Sequence, residues 1–380
     1  MEMNDSILNE IRMLRKNGNL NINRKNSNRY RLLVHEEDAS NTAYYFSTPI
    51  YGLKSRKLID LRFRKDKDMY FAEGSNTNIT VSGNEIIFKN SEGTLIVSWG
   101  AQQYFLHNRN LISDITEVYP TLNGVAVKVK HKDNADFRLH ICVDKPFMNI
   151  RENTKCFALM SEGFIPFMTV SSIGTANSYG KICSPAKVSY HKIDDRSYYV
   201  NVTSVSSLHG TFMFEINLYE PKLFQDTTVE SKNANENNAF GSTAFIGDSE
   251  TFGEQWLYSR LDYSKISEVI DREIRKMILH IPRYNDSEVV LAGFEVAQRF
   301  CSFGSNWDNK IALARMISES SIKQKYQSID ITDLMVNRRT HSFNKSEGMI
   351  LRSKVKGSGF TAIATGDNYY TPQILEINFK

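Results

Sequence analysis

The sequence predicts an all-β protein: two antiparallel β-sandwiches, jelly-roll-like, preceded by one short N-terminal helix. Three observations predict it. The chain has 380 residues, more than one ordinary core organises, so two domains are expected. It is rich in aromatics, with 18 Tyr and 22 Phe, which suit a pleated, half-buried surface. From Tyr30 onward, apolar residues recur at every second position, and the alternation of strands with long helices that marks a parallel α/β sheet is missing.

The elements follow in order. Ile7, Leu8, Ile11 and Leu14 fall at helical spacing, so residues 4–16 are predicted to form an amphipathic helix. The Asn-rich stretch KNGNLNINRKNSN reads as a linker. Two roles are open to the helix: docking on its own domain, or serving as a handle for a partner or another subunit. In ITVSGNEIIF, Gly83-Asn84 separates two short alternating runs, the signature of a tight hairpin. TLIVSW adds a third strand of a meander. Val125, Val127 and Val129 alternate with polar neighbours, and after a turn at KDNAD so do Phe137, Leu139 and Ile141. Phe212, Phe214, Ile216 and Leu218 repeat the theme. Such strands bury one face and wet the other.

Around YEPKLFQDTTVESKNANENN the pattern breaks at Pro221 and a polar Asn-rich run, which marks a boundary. The expected division is 1–28 for helix and linker, 29–223 for a β-rich N-terminal domain, and 224–380 for a second sandwich. Met277, Leu279 and Ile281 alternate again, as do Leu375, Ile377 and Phe379. DYSKISEVIDREIRK, with Ile266, Ile270 and Ile274 four apart, is ambiguous and is compatible with a helical turn on a strand connection.

The order of segments in the last part carries a resemblance. QDTTVES is followed by NNAFGSTAFIGDSETFGEQ and then by WLYSRLDY. RKMILHIP, LAGFEVAQRFCSFG and SNWDNK come next, and SIDITDLMV, SEGMILRS and YTPQILEINFK close the chain. This set resembles the DNRLRE-type domain, a β-sandwich related to a carbohydrate-binding module family, over about residues 224–380. The literal hexapeptide that names the domain is absent. The resemblance implies a jelly-roll sandwich with a sugar-binding role. It also implies that NNAFGSTAFIGDSETFGEQWLYSR is the loop and first long strand of that sandwich. The first 223 residues carry no such resemblance.

Composition and motifs exclude several classes. Net charge is +4 from 47 basic and 43 acidic side chains, with no clustered basic stripe, so no nucleic-acid partner is expected. No apolar run approaches the length of a spanning helix, so no membrane insertion is expected. The start MEMNDSILNEIRMLRK lacks a secretion signal, which places synthesis in the cytosol and makes any release or particle association signal-independent. Cys142, Cys156, Cys183 and Cys301 are widely spaced and read as four buried free thiols. None of the eight histidines forms a zinc pattern, and neither nucleophile-elbow nor phosphate-loop motifs occur. Asp248, Glu250 and Glu254, and the pair Asp367 and Asn368, are carboxylate-bearing turns where Ca²⁺ could sit. Solvated turn residues are the simpler account of them, and no cofactor is expected.

A glycan site needs an aromatic face and planar hydrogen-bonding groups. Trp256, Tyr258, Trp307, Tyr369 and Tyr370 can supply the first; Arg260, Asn306 and Arg352 the second. Tyr369 and Tyr370, beside Gly366 and Pro372, are expected in an exposed loop and are preferred with Trp307, Asn306 and Arg352 as ligand-binding residues. Trp256, at the start of an alternating strand, is expected in the core. The functional expectation is a non-catalytic binding protein whose partner is a glycan or a protein. The alternatives are a structural component of an oligomer or larger assembly, such as a phage-tail-like or surface particle, and a glycan lyase or hydrolase.

Overall fold

A computed structural model of the chain describes residues 5–15, 20–36, 38, 40–100, 102–131, 136–204, 210–296, 298–334 and 348–380. It is all-β with a short N-terminal helix, and every strand pairing is antiparallel. The chain divides into two compact units. One comprises residues 1–50, 221–239 and 243–380; the other comprises 51–220 and 240–242. This differs from the expected division at its first boundary. The helix and the first two strands join the C-terminal unit, because Asn41–Phe46 pairs along its whole length with the final strand Ile374–Phe379. From Thr42 onward Asn41–Phe46 is buried on both faces, and its residues carry no information about a partner more than 300 residues away.

The unit 51–220 is a two-layer sandwich. One sheet runs from Asn149–Asn153 through Cys156–Met160, Pro166–Ala176, Gly210–Leu218, Gly124–His131, Thr116–Pro120 and Asn110–Ile112 to Phe105–His107. The other runs from Ala186–Lys192 through Ser197–Ser204, Asp136–Val143, Thr94–Ser98, Glu85–Lys89, Asn78–Ser82 and Met69–Glu73 to Arg64–Asp66. The core takes the inward residues of both, including Val125, Val127, Phe212 and Phe214 from one and Ile79, Phe88, Leu139 and Ile141 from the other. The predicted hairpin is there: Ser82 opposes Glu85. Gly83 takes φ +59°, the first-position geometry of a type II′ turn, which a side chain would strain. The KDNAD turn falls mostly outside the described residues.

The other unit is also a sandwich, built around a strand that changes sheets. The upper part of Leu313–Lys323 pairs with Leu291–Val296, and its last four residues pair with Tyr326–Asp330. One sheet continues through Ile274–Pro282, Ile374–Phe379 and Asn41–Phe46 to Arg31–His35. The other continues through Met349–Ser353 to Gly253–Leu261, with Phe224–Glu230 along that strand and Thr243–Ser249 and Phe360–Ala364 beyond. Leu279, Ile329, Leu375 and Ile377 face Ala244, Leu257, Leu351 and Ile363 in its core. Gly247, at φ +129°, lies so close to the neighbouring strand that a Cβ would sit 2.1 Å from the Gly359 carbonyl oxygen.

The N-terminal helix, Asp5–Leu14, packs on its own unit. Ile7, Leu8 and Ile11 are buried. Glu10 accepts hydrogen bonds from Lys325 Nζ at 2.5 Å and from Tyr326. Arg15 forms a bidentate pair with Glu36, at 2.6 and 2.8 Å. The stretch expected as a linker is part of the fold from residue 20: Asn23 N–H donates to the Leu33 carbonyl, and Ile22 bridges Val34. In the ambiguous segment, a 3-10 turn Tyr263–Ile266 capped by Asp262 leads into the helical turn Ser267–Ile270. All four cysteines are free thiols, but only Cys156 is buried; Cys301 is exposed on a loop. No helix among the described residues is long and apolar enough to cross a membrane.

Candidate functional site

The sheet of Gly253–Leu261, Met349–Ser353 and Leu291–Val296 has two faces. Leu257, Leu351 and Leu291 point into the sandwich core. Their sequence neighbours Trp256, Tyr258 and Ile350 therefore point outward, and with Phe294, Val296, Phe300, Ile311 and Trp307 they gather into a second apolar cluster. The cross-strand register sets Tyr258, Ile350 and Phe294 in one row, and Arg352 opposite Ala292 in the next.

On this face two aromatic rings flank one cation, and a third ring packs against one of the two. The Arg352 guanidinium carbon lies 5.0 Å from the Phe294 ring centroid and 6.0 Å from that of Trp256, within cation–π range. Trp307 meets Trp256 edge-on, with centroids 5.2 Å apart at 61°. Lys310 Nζ lies 4.6 Å from the Trp307 centroid. Trp256 is 8% exposed and donates its Nε1–H to Glu254 at 2.7 Å; Trp307, Phe294 and Arg352 are half-buried. No carboxylate pairs with Arg352 among the described residues, and its Nε has no hydrogen-bond partner. A guanidinium held on aromatic faces without a counter-ion presents planar donors to a ligand.

The loop that brings Trp307 is pinned from several sides. Asn237 Nδ2 donates to the Ser302 and Ser305 carbonyls at 2.7 and 2.6 Å. Trp307 N–H donates to the Ala234 carbonyl at 3.0 Å. The buried Tyr258 hydroxyl accepts from Ile311 N–H at 3.1 Å. Asn306 and Asn309 exchange side chain-to-backbone bonds at 2.8 and 3.1 Å, so the Asn306 carbonyl oxygen serves the turn.

Of the residues preferred from sequence, the fold brings Trp307 and Arg352 to this face, together with Trp256; Asn306, next to Trp307 in the turn, spends its side chain on Asn309 and Asn235. It does not bring Tyr369 or Tyr370. The expected exposure of Tyr369 is corrected: it is 1% exposed and lies under the Lys222 ammonium, 3.5 Å from the ring centroid. The connection 365–373 folds inward because Asn368 is itself buried, donating to Tyr284 and accepting from Thr371 N–H, both at 2.7 Å. Tyr370 is half-buried. Arg260 pairs with Gln225 on the neighbouring strand. Phe294 was missed; the alternation of Ala292, Phe294 and Val296 against Leu291 and Gly293 is the signal that places it on the outer face.

The carboxylates Asp248 and Glu254 serve Gly357 N–H and Trp256 respectively, and no group of three metal-ligating side chains occurs among the described residues. One Ser–His–Glu chain does occur: His280 Nδ1 is 2.8 Å from Ser328 Oγ and Nε2 is 3.0 Å from Glu376 Oε2. His280 and Ser328 are buried on the sheet face toward the N-terminal helix, and the chain satisfies a buried imidazole on both nitrogens. No protein-family model and no curated protein matches this chain.

Proposed function

We propose that the protein is a non-catalytic binding protein, and that its C-terminal sandwich is of the DNRLRE type and holds a glycan on the outer face formed by Trp256, Phe294, Trp307 and Arg352. The observation that carries this reading is Arg352, seated between two aromatic rings with no carboxylate partner among the described residues. Rings offer the apolar side of a sugar a stacking surface, and the guanidinium offers its hydroxyls or acidic groups paired donors. A glycan array probed with the full chain and with Arg352→Met tests it. Array signal from the wild type that is lost in the variant supports the reading. Silence of the wild type across the array, or equal signal from both proteins, rejects it.

A second reading, a structural component of an assembly, has one observation in its favour. At one hairpin end of the unit 51–220, Met148, Phe164 and Ile165 are 70%, 65% and 64% exposed. Phe164 is held there at φ +56°, a conformation that bulky residues rarely adopt. Clustered exposed apolar side chains mark contact surfaces. Light scattering on a size-exclusion column decides: concentration-dependent oligomers that Phe164→Ser disperses favour assembly, and a monodisperse monomer rules against it.

A further inference from the structure

A pocket on the same unit, built from other residues and half open to solvent, offers about 350 Å³ between residues 25–33, 268–272 and Phe379. That is within the ordinary range for small-molecule sites, roughly 300–1,000 Å³. Its floor is apolar, from Leu33, Val269 and Phe379. Its walls carry three cations, Lys25, Arg31 and Arg272, against one carboxylate, Glu268.

Arg31 is the centre of the site. Its side chain is 7% exposed. Nη1 donates to Tyr45 Oη at 3.1 Å, the guanidinium carbon lies 5.6 Å from the Tyr45 ring centroid, and Nη2 also reaches the Asn26 carbonyl. Nε is buried and has no hydrogen-bond partner. The negative charge facing this buried cation comes from Glu268, whose Oε2 lies 2.6 Å from Nη2. Asn28 Nδ2 is 3.4 Å from the same oxygen. Yet the Glu268 side chain is 56% exposed. A buried guanidinium needs a counter-charge, and a mostly solvated carboxylate is a weak one.

We propose that this pocket binds a small organic anion, an oxyanion head on an apolar body, and that Glu268 holds the place of that head on Arg31. The incoming oxyanion takes the Glu268 position on Arg31, with Lys25 and Arg272 adding positive charge at the rim. The apolar body covers Leu33, Val269 and Phe379. Glu268, already half in water, swings out at little cost.

The test uses the full chain with phenyl phosphate and benzoate as probes, which separate a phosphate head from a carboxylate head, and benzyl alcohol as the uncharged control. Calorimetric titration should show saturable binding of at least one anion and none of benzyl alcohol. Glu268→Gln removes the internal competitor and should tighten binding about two- to fivefold, the worth of an exposed ion pair. Lys25→Ala should weaken it by a similar factor. Arg31→Met should weaken it at least about tenfold, the worth of a hydrogen bond to a charged group. If Arg31→Met fails to fold, the Glu268 and Lys25 variants carry the decision. None of these variants touches the Arg352 face, so failure of the glycan reading leaves their result intact. Binding of neither anion to wild type or Glu268→Gln would overturn the proposal, as would a Glu268→Gln variant that binds no more tightly than wild type.

Discussion

Asp226 offers a stability prediction with a definite pH window. It sits on Phe224–Glu230 opposite Ser259, is 3% exposed, and accepts the Gly366 N–H on Oδ2 at 2.5 Å. Its Oδ1 has no hydrogen-bond partner. Burial pushes its carboxyl from the ordinary 3.8 up to about 7, and the nearby Asp367 charge adds to the rise. The unfolded chain releases this proton near pH 4, whereas the native state holds it to about 7. Between those values the native state binds more protons, so unfolding free energy falls as pH rises. The contribution is fully present below about pH 4 and lost by about pH 7. The gap is roughly three pH units at about 1.4 kcal/mol each, so ionising Asp226 in place costs on the order of 4 kcal/mol. Asp226→Asn keeps an acceptor for Gly366 and removes the ionisation, but it leaves an amide N–H₂ in the place of Oδ1, at about 1–3 kcal/mol. The net expectation is a variant more stable than wild type by about 1–3 kcal/mol at pH 8, less stable at pH 4.5, and with a flatter profile between. Urea unfolding from pH 4.5 to 8 reads this out on a Trp99→Phe background, where Trp256 and Trp307, both in the unit that holds Asp226, supply the tryptophan signal. Parallel profiles for wild type and Asp226→Asn would refute the reasoning, because they would mean that Asp226 ionises in the native state without penalty.

Other predictions follow from burial and bonding. Trp256→Ala should cost about 3–5 kcal/mol in denaturant unfolding, whereas the half-exposed Trp307→Ala should cost about 1 kcal/mol; equal costs would mean that the two rings share one environment. Ile11→Ala, at a position 1% exposed, should loosen the N-terminal helix by about 2–4 kcal/mol and speed tryptic cleavage at Arg12 and Arg15, measured by mass spectrometry; unchanged cleavage would mean that the helix does not depend on that contact. Maleimide should label Cys301 first and Cys156 only on unfolding, since one is exposed and the other buried; simultaneous labelling would contradict the fold around Cys156.

Period-two alternation made the strands legible, because a strand's burial pattern is written in its own residues. Phe212, Phe214, Ile216 and Leu218 are all buried as that pattern requires. Pairing was not legible. Asn41–Phe46 is buried on both faces and carries no alternation, and nothing local says that Ile374–Phe379 is its neighbour. For the candidate site, residue type narrowed the choice and environment decided it. Trp307 and Arg352 were chosen because Trp and Arg are the side chains such a site needs, and the fold sets both beside Trp256. Tyr369 misled because Gly366 and Pro372 signal a loop, and a loop is not necessarily exposed: Lys222, from a segment more than 140 residues earlier, covers its ring. Trp256 is nearly buried, as expected, and still forms one wall of the Arg352 site, since the edge of a packed ring remains a surface.

The proposed glycan-binding face is tested most directly by calorimetric titration of one array-positive oligosaccharide against wild type, Arg352→Met, Trp307→Ala and Tyr370→Ala, with thermal melts of each. The account predicts that Arg352→Met and Trp307→Ala each weaken binding by about 1–3 kcal/mol, roughly 5- to 150-fold, while melting within a few degrees of wild type, and that Tyr370→Ala binds as wild type does. Full affinity in the Arg352 and Trp307 variants, together with loss in Tyr370→Ala, would contradict it and move the site to the 365–373 connection.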